Sequence, residues 1–597
     1  MNFSINISGF IFSIISIMLV CFILSTSFFI WGRFLAKLLG LQITGNKGII
    51  GKIWLGFAFC IFFFSIYHIF LPIDAFASCI FYFPGIIYFF IRYSKKLPDF
   101  VKSIGTLKLI VIILTLLAAS AISLQTPTNF DTGLYHLNSI RWNNEFHIIK
   151  GIGNLHSRLG FNQTFFLYAA SLNFHPYLND YAFHISNCFL YAIFFVGMIL
   201  NGTFIDLLLA TLFFFIPMPY HWLTSPTPDL ASTLIQIVSF RYIAEAFHFN
   251  PQSKERIGFI SLSAILCALL ISIKLSNVCY AAGLGIVTII FNLKNKFESF
   301  EKKQLSKVFI FIGCFFLIWI TRGYIQTGYP LFPSSIGKIN FEWTVPKDLA
   351  NKMENNVYAG SRSCETTFDI NSPILKNYAW IPLWLKRNFY DEEIYAGVDW
   401  FDSFQIITTL ILFPSTLNNW GIGSVTLLAL SVLLLIIWII SVIRNKELFQ
   451  KSSMLFYLFL IEVFSIIFWF FLAPCPRFAN GIFVILFTTC LMLLKTAYLQ
   501  LTLNKKLKTV LFFFSFILFV WNFNLAYNAK EFSIDEIKPL KPIPMRIFVT
   551  LSGLKILVPQ VGIAQNWDSP IPSTIEPKRN LALLGNGIKD GFYLTNK

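Results

Sequence analysis

The sequence has little charge for its length. Asp, Glu, Lys and Arg make up 13% of its 597 residues, whereas soluble domains carry about 25%. Apolar residues make up 56%, with 70 Phe, and the mean hydropathy is +0.68. This composition excludes a soluble domain and predicts a membrane protein that crosses the bilayer several times.

Other signatures are also missing. The ten Cys form no CxxC pair and no Cys/His zinc spacing, and most are single residues inside apolar runs, which indicates small core residues. The sequence contains no internal repeat, heptad pattern or low-complexity tract. The N-terminal MNFSINISGF lacks the basic region of a signal peptide, so we expect the first apolar run to be retained as a helix.

The net charge of +17 is the feature that would suggest nucleic acid. The basic residues, however, occur in short loops between apolar runs, where the positive-inside rule places them. We therefore predict no nucleic-acid partner. The basic clusters are Arg33, Lys37, Lys47 and Lys52; Arg92, Lys95, Lys96 and Lys102; Lys254 and Arg256; Lys294, Lys296, Lys302 and Lys303; Arg444, Lys446 and Lys451; and Lys505, Lys506 and Lys508.

Apolar runs of roughly 17–25 residues are long enough to cross a bilayer. The sequence predicts about fourteen of them, and hence an all-α polytopic fold. The predicted runs are 9–30, 53–72, 75–92, 106–124, 181–200, 203–220, 229–248, 257–274, 277–293, 306–321, 422–443, 453–473, 478–499 and 508–527. A further apolar segment, 405–416, is short and contains Pro414, so we interpret it as interfacial or re-entrant.

Every basic cluster lies on one side of the membrane if 405–416 does not cross it. By the positive-inside rule that side is the cytoplasm, and both termini are then outside. The predicted outer segments are 125–180, 221–229, 322–404, 473–478 and 528–597. The last of these, with strand-like runs such as RIFVTL, is too small for a core of its own, so we expect it to pack on the outer loops.

The first long polar stretch, residues 126–163, holds an unusual density of ionisable groups. Charge close to hydrocarbon is costly and tends to mark a site. Its members are Asp131, Tyr135, His136, Arg141, Glu145, His147, His156 and Arg158. Asp131 precedes a segment with amphipathic helical spacing, so an N-cap is the alternative to a catalytic carboxylate. NQTFFLYAASLNF is expected to form a second interfacial helix on the same surface.

Four charged residues from later segments are expected on this outer side. Asp229 opens a predicted helix after PTP, where an N-cap is again the alternative. The basic residues Lys274, Arg322 and Arg477 follow or precede apolar runs. Each one alone is explained by a side chain that reaches out of the bilayer, but three cations on one face can hold a phosphate. Two carboxylates can act as base and orienting group, or bind a divalent cation.

Six of the eight His fall between His136 and His221. Polar residues accumulate where water is, which explains this distribution without a site. A transition-metal site with His136 or His221 is the less favoured alternative.

These residues resemble the GT-C superfamily, which comprises membrane glycosyltransferases that use polyprenyl-phosphate-linked sugars. The resemblance rests on an Asp in the first outer loop, two expected interfacial helices after it, the Asp of PDLAS that opens a later helix, and the Lys that ends the helix after that one. It implies that Asp131 is the general base, that Asp229 is the second acid, and that Lys274, Arg322 and Arg477 bind the donor phosphate. The superfamily often has paired acids in the first loop, whereas Thr132 and Gly133 follow Asp131 here. His136 therefore competes for the base role, and a divalent cation stays open as a cofactor.

The same resemblance divides the chain. Residues 106–321 would be the catalytic core with the loop 125–180, and 1–105 an addition before it. Residues 322–421 would be an outer loop, 422–527 the last spans and 528–597 an outer tail. The motifs GLYHLNSIRW, SPTPDL, TGYPLFP and PRFANG also make the whole chain similar to a group of bacterial membrane proteins that usually carry no assigned function.

The predicted function is therefore transfer of a sugar from a polyprenyl-phosphate donor to a glycan or lipid acceptor, on the outer face of the bacterial cytoplasmic membrane. The lipid tail of the donor would enter from the bilayer between helices. Residues expected to bind substrate are Tyr135, Arg141, His156, Arg158 and His221. Two alternatives are a polymerase or ligase of lipid-linked glycans, and a transporter or flippase of them. A transporter typically has charges through the membrane depth and repeat symmetry, which favours the enzyme here.

Overall fold

A computed structural model of the protein describes residues 7–177, 182–214, 222–246, 253–295, 299–363, 380–382, 384, 422–498, 540 and 542–595. Three of the features predicted from the sequence lie outside these residues. They are the helix near 508–527, the segment 405–416 and the side chain of His221.

Helices dominate the described residues. In chain order they are α1 (Ile7–Leu39), α2 (Gly45–Phe70), α3 (Ala75–Tyr93), α4 (Leu97–Ile104), α5 (Thr106–Ser123), α6 (Leu137–Glu145), α7 (Ile152–Leu155), α8 (Phe165–Ser171), α9 (Ala182–Asn201), α10 (Phe204–Phe213), α11 (Pro228–Ala246), α12 (Lys254–Ile273), α13 (Val278–Asn295), α14 (Ser299–Thr327), α15 (Lys347–Ser363), α16 (Ile422–Arg444), α17 (Glu447–Leu472) and α18 (Asn480–Tyr498).

Nine helices within the described residues are long and apolar enough to cross a bilayer. They confirm a mostly helical, multi-pass membrane protein. Their apolar spans are Ser8–Leu39, Gly45–Phe70, Ala75–Ile104, Thr106–Ser123, Phe183–Asn201, Lys254–Ile273, Lys302–Thr327, Leu427–Arg444 and Ser452–Leu472. Three more apolar helices are shorter, namely Phe204–Phe213, Leu275–Ile290 and Asn480–Lys495.

The helix α11 is a special case among the predicted spans. It is buried along almost its whole length, yet it carries Asp229, Arg241 and Glu245, which lower its apolar character. It packs against α9, α12 and α18 rather than facing outward. A helix that is surrounded by protein can tolerate charges that a lipid-facing helix cannot, provided that each charge has a partner.

The first polar stretch folds into short helical pieces that are mostly enclosed by protein. A π-helical turn, Thr132–His136, runs directly into α6, and a 3₁₀ turn follows α7 at Ser157–Phe161. The helix α8 is buried at every residue and contacts α2, α3, α6 and α9. We expected α8 to lie on the surface as an interfacial helix. Its residues are instead covered by neighbouring helices, since FFLYAAS is mostly apolar and its Tyr168 and Ser171 hydroxyls bond to backbone carbonyls. Its position at the membrane interface stays a prediction.

The C-terminal tail contains the only strands in the described residues. The strand β1 (Met545–Val549) pairs with β2 (Lys555–Pro559), and β3 (Leu581–Leu583) pairs with β4 (Phe592–Leu594), both antiparallel. The apolar side of these hairpins packs against the first polar stretch, around Trp142, Ile152 and Leu155. The expected packing of the tail on the first polar stretch is thus confirmed, and two small sheets are added to the all-α prediction.

Candidate active site

Asp131 lies at the start of the π-helical turn, and basic groups surround its carboxylate. The side chain makes no capping hydrogen bond. Instead, the side-chain oxygen of Asn129 accepts the backbone N–H of Asp131 at 2.9 Å. The carboxylate lies 3.2 Å from Nη1 of Arg477 and 3.6 Å from Nη1 of Arg158. The N-cap alternative for Asp131 therefore does not describe what its side chain does.

Asp229 lies in the first turn of α11, and its side chain is only 4% exposed. The Thr227 hydroxyl accepts the Asp229 backbone N–H at 3.3 Å, so this helix start is also capped by a neighbour. The Asp229 carboxylate forms an ion pair with Lys274 and lies 3.8 Å from Nε of Arg477. Arg477 thus contacts both carboxylates. The structure brings Asp131 and Asp229 together, as the sequence predicted.

The two cations of this cluster share an aromatic neighbour. Lys274 follows the last residue of α12, and Arg477 lies in the 3₁₀ turn Pro476–Phe478 that joins α17 to α18. Lys274 Nζ lies 3.8 Å from the centroid of the Phe478 ring, and the guanidinium carbon of Arg477 lies 5.2 Å from it. The ring face attracts cations, so Phe478 helps to hold both basic groups against the carboxylates.

We call Asp131, Arg158, Asp229, Lys274 and Arg477 the charged cluster. Three of its side chains are basic and two are acidic, which leaves one positive charge in excess. Burial opposes ionisation of Asp131, but the positive charges of Arg477 and Arg158 outweigh it and lower the pKa of its carboxyl to about 2. Burial also opposes the charge on Arg477, yet its carboxylate neighbours raise the pKa of the guanidinium overall. Asp131 and Arg477 are therefore both charged at neutral pH, and the formal excess of one positive charge favours anions near the cluster.

His136 lies beside the cluster at the end of the π-helical turn. Its ring packs 4.5 Å from the Tyr135 ring and 5.3 Å from the Phe166 ring, between centroids. Within the described residues its Nδ1 has no hydrogen-bond partner. Burial lowers the pKa of the imidazole to about 4, although Asp131 and Asp229 act to raise it. At neutral pH this His is therefore uncharged and able to accept a proton.

The other predicted substrate-binding residues divide into two groups. Tyr135 and Arg158 stay near the cluster, since the Arg158 guanidinium lies 5.7 Å from the Tyr135 ring centroid. Arg141 and His156 instead contact the tail. Arg141 Nη1 lies 3.0 Å from the Asp568 carboxylate, and His156 Nε2 lies 3.7 Å from the Glu576 carboxylate.

Arg322 lies apart from the other two predicted phosphate ligands. Its guanidinium donates to the Ser65 carbonyl at 3.3 Å and to Nδ1 of His68 at 3.2 Å, both on α2. The sequence grouped Arg322 with Lys274 and Arg477, but its contacts differ because α14 meets α2 at this level. A role of Arg322 in phosphate binding stays a prediction.

A divalent cation does not fit the charged cluster as it stands. Each carboxylate already lies within ion-pair distance of two basic groups. No group of three His, Cys, Asp or Glu side chains suited to a metal occurs in the part of the chain that the structure describes. We assign no step of the chemistry to a metal.

The sequence profile of DUF8201, a domain of unknown function, matches residues 14–413. The chain belongs to the DUF8201 family. Searches against curated proteins and against solved structures give no match. The DUF8201 match contains Asp131, Arg158, Asp229 and Lys274, whereas Arg477 lies beyond its end. The charged cluster of this DUF8201 protein is therefore completed by a residue outside the family domain.

Sequence reasoning missed several residues that shape the site. Trp567 donates its backbone N–H to the Gly133 carbonyl at 2.7 Å, and its carbonyl accepts from the Asn138 side chain at 2.8 Å. A Cβ on Gly133 would lie 2.6 Å from the Trp567 indole, so only Gly allows this approach. Gly133 stands two residues after Asp131. The tail of this DUF8201 protein thus contacts the turn that carries the candidate base.

Proposed function

We propose that this DUF8201 protein transfers a glycosyl group from a polyprenyl-phosphate-linked donor to a hydroxyl of a glycan or lipid acceptor. The proposed location is the outer face of the bacterial cytoplasmic membrane, in the charged cluster. The resemblance to the GT-C superfamily supports this proposal, as does the presence of Asp229, Lys274 and Arg477 at or beside the ends of helices.

The observation that carries the proposal is the position of Arg477 between two carboxylates from distant segments, with Lys274 and Arg158 beside them. Such a cluster offers an anion a net positive charge and a planar guanidinium that can form two parallel hydrogen bonds to one phosphate group. A donor phosphate suits both features. It gains negative charge as it leaves, so the cations stabilise the transition state more than the ground state.

The proposed reaction is a single displacement. The acceptor oxygen forms a bond to the anomeric carbon while the bond from that carbon to the phosphate oxygen breaks. The electron pair of the broken bond stays with the phosphate, which Lys274 and Arg477 hold. Asp131 accepts the proton of the acceptor hydroxyl, and Asp229 orients Lys274 and Arg477. Attack from the side opposite the leaving group inverts the anomeric configuration.

The resting structure makes Asp131 a weak base, because its pKa of about 2 lies far below neutral pH. A donor phosphate would compete for Arg477 and so remove the largest charge that lowers this pKa. Donor binding would then make Asp131 more basic at the moment when a base is needed. His136 is the rival base, since its pKa of about 4 already makes it the stronger acceptor at rest.

One observation favours a second candidate, the transport of a lipid-linked glycan. Buried polar side chains continue along α11 from Asp229 through Ser232, Gln236 and Ser239 to Arg241. Arg241 follows Asp229 by twelve positions along the helix, a rise of roughly 18 Å at 1.5 Å per residue. Charges are thus less confined to one surface than the sequence suggested.

The contacts of the distant end weaken this candidate. Arg241 binds Asp206 at 2.6 Å and Glu245 at 2.7 Å, and Lys47 pairs with Glu245. Two cations meet two anions, so this network leaves no net charge. Charges that are all paired in this way can lie between packed helices without forming a path for a substrate. The charged cluster differs, because it has a positive charge in excess.

The test is Asp131→Asn, compared with Asp74→Asn as a matched control. Asp74 is a true N-cap, since its side chain accepts the Ala77 backbone N–H at 2.9 Å. Asn caps helices as well as Asp but cannot accept a proton at neutral pH. In liposomes that contain polyprenyl-phosphate sugars, we expect Asp131→Asn to lower the transfer rate about 10²–10⁴-fold and Asp74→Asn to leave it unchanged.

Three measurements separate the alternatives. Retained transfer in Asp131→Asn with loss in His136→Gln makes the histidine the base. Movement of the lipid-linked glycan between leaflets, without formation of a new glycosidic bond, would indicate that the protein is a transporter and not a transferase. Products that grow by whole glycan blocks, rather than by one sugar, would indicate the polymerase or ligase.

A further inference from the structure

A polar cavity lies between the first polar stretch and α14, beside the charged cluster. Its volume is about 30 Å³, and a cavity needs roughly 10–15 Å³ to hold one water. Arg158 lines it from the loop and Arg322 from α14. The amide side chains of Asn162, Gln163 and Gln326 also line it. Two arginine residues thus line one small polar space.

Arg322 is the side chain that makes this cavity unusual. It is 2% exposed, and its partners are a carbonyl and the ring nitrogen of His68. Its Nε has no partner in the described residues, and no carboxylate there lies within ion-pair distance of it. Arg158, Lys274 and Arg477 all have such a carboxylate. An unneutralised buried charge is costly, and an anion in the cavity would offset that cost.

The wall opposite Arg322 is held in place. The Asn162 side-chain amide donates to the Trp319 carbonyl at 2.7 Å, and the Trp319 indole donates to the Asn162 carbonyl at 3.0 Å. The Gly151 backbone N–H donates to the Ile325 carbonyl at 2.9 Å. These bonds tie the loop to α14 on both sides of Arg322. The walls of the cavity are therefore fixed by hydrogen bonds, and the cavity is not a gap between loosely packed segments.

We propose that this cavity is an oxyanion site that adjoins the charged cluster and shares Arg158 with it, in which Arg158 and Arg322 bind the phosphate or carboxylate group of a ligand. The side-chain oxygens of Asn162 and Gln326 have no partners in the described residues and would accept hydroxyl donors of the same ligand. Arg158 joins the two sites, because it also lies 3.6 Å from the Asp131 carboxylate. The site does not depend on the glycosyl transfer proposed above.

The test uses the full-length protein in detergent at constant ionic strength. Inorganic phosphate and glucuronate are titrated in parallel against chloride, and the thermal unfolding temperature is measured. We expect at least one of these oxyanions to raise the unfolding temperature with a saturating dependence, and the stronger one identifies the preferred group. Arg322→Gln should weaken that apparent affinity about ten- to a hundred-fold, while Arg477→Gln should keep most of it.

Arg158→Gln provides a second variant if Arg322→Gln does not fold, because the Arg158 side chain is 30% exposed and its removal leaves a smaller defect. It should weaken oxyanion binding in the same way. The proposal is overturned if neither oxyanion stabilises the parent protein more than chloride does, or if Arg322→Gln binds as tightly as the parent. An equal loss in Arg477→Gln also overturns it, because the anion would then occupy the charged cluster. None of these outcomes decides whether Asp131 is the base.

Discussion

Asp131 and His136 are five residues apart, and the pKa values of their side chains are lowered for different reasons. For Asp131 the neighbouring guanidinium groups outweigh burial, so the carboxyl loses its proton more readily than in water. For His136 burial outweighs the neighbouring carboxylates, so the imidazole resists protonation. Both groups are consequently unprotonated at neutral pH. Electrostatics alone therefore allows either to accept a proton, and mutation has to distinguish them.

His136 gives a prediction for stability against pH. Its folded pKa of about 4 lies below the unfolded value of 6.5, so the unfolded chain binds more protons between these values. The free energy of unfolding should fall as the pH falls from 6.5 to 4, by up to about 3 kcal/mol from this residue. His136→Gln should reduce that loss, measured as unfolding temperature in detergent at pH 7.5 and pH 5.

His156 serves as an internal comparison for this prediction. Burial lowers its pKa to about 4 as well, so it contributes over the same pH range and His136→Gln should remove only part of the dependence. In the double variant that also carries His156→Gln, the unfolding temperature should depend on pH even less. An unchanged pH dependence in His136→Gln would contradict the burial of a neutral imidazole beside the cluster.

At the scale of elements, the start of α11 depends on one side chain of α9. The Asn187 side-chain nitrogen lies 3.0, 2.6 and 2.9 Å from the carbonyl oxygens of Trp222, Ser225 and Thr227, so its two N–H groups are shared among three acceptors. These residues form the turn that leads into Asp229. A single buried amide therefore sets the position from which Asp229 reaches Lys274 and Arg477.

Asn187→Leu should lower the stability of the protein and weaken its binding of the proposed polyprenyl-phosphate donor together. Three carbonyls would lose their donor, and each buried unsatisfied group costs about 1–3 kcal/mol. Asn201→Leu, at the other end of α9, is the matched control because the Asn201 side-chain oxygen has no partner in the described residues. Unfolding temperature and donor binding are measured for both variants. Equal effects of the two changes would mean that Asn187 does not position α11.

The tail is an element whose importance was not evident in the sequence. It binds the first polar stretch through Asp568 with Arg141, and through Glu576 with the Ser157 backbone and hydroxyl. Its hairpins are too short to be stable alone. They gain stability from this contact, and the contact in turn fixes the turn that carries Asp131.

For the whole molecule, the basic loops predict which end of the helices faces the cytoplasm. Lys446 lies exposed between α16 and α17, and Asn586 lies exposed in the tail that packs beside Asp131. One span, α17, separates Lys446 from Arg477 of the cluster. In intact spheroplasts we expect a membrane-impermeant thiol reagent to label Asn586→Cys and not Lys446→Cys.

Permeabilised cells supply the first control, since both substituted residues should then react. The parent protein, treated in the same way, gives the background labelling of the native Cys residues. Labelling of both sites from outside would mean that α17 does not cross the membrane. Labelling of Lys446→Cys alone would reverse the orientation and place the charged cluster on the cytoplasmic face, which contradicts the proposed location.

The sequence by itself determined the class of protein, a mostly helical chain that crosses the membrane several times, and the approximate positions of several of its helices. Runs such as 53–72 and 257–274 are apolar over the length of a bilayer, and a helix occupies each of them. The observed Lys254–Ile273 follows its run closely, whereas Gly45–Phe70 begins eight residues before the predicted start. Helix formation in such runs is decided locally, because the backbone must satisfy its own hydrogen bonds in lipid. For the same reason, the polar residues between runs could be recognised as candidates for a site.

Only the tertiary structure decided which candidates meet. Arg477 contacts Asp131 and Asp229 because α17 and α18 place their connecting turn beside α11, and no local pattern encodes that packing. Arg322 has the same residue type and the same predicted side as Arg477, yet α14 directs it to His68. Composition and periodicity describe one helix at a time. The contacts that give these charges their chemistry depend on how helices from distant segments pack together.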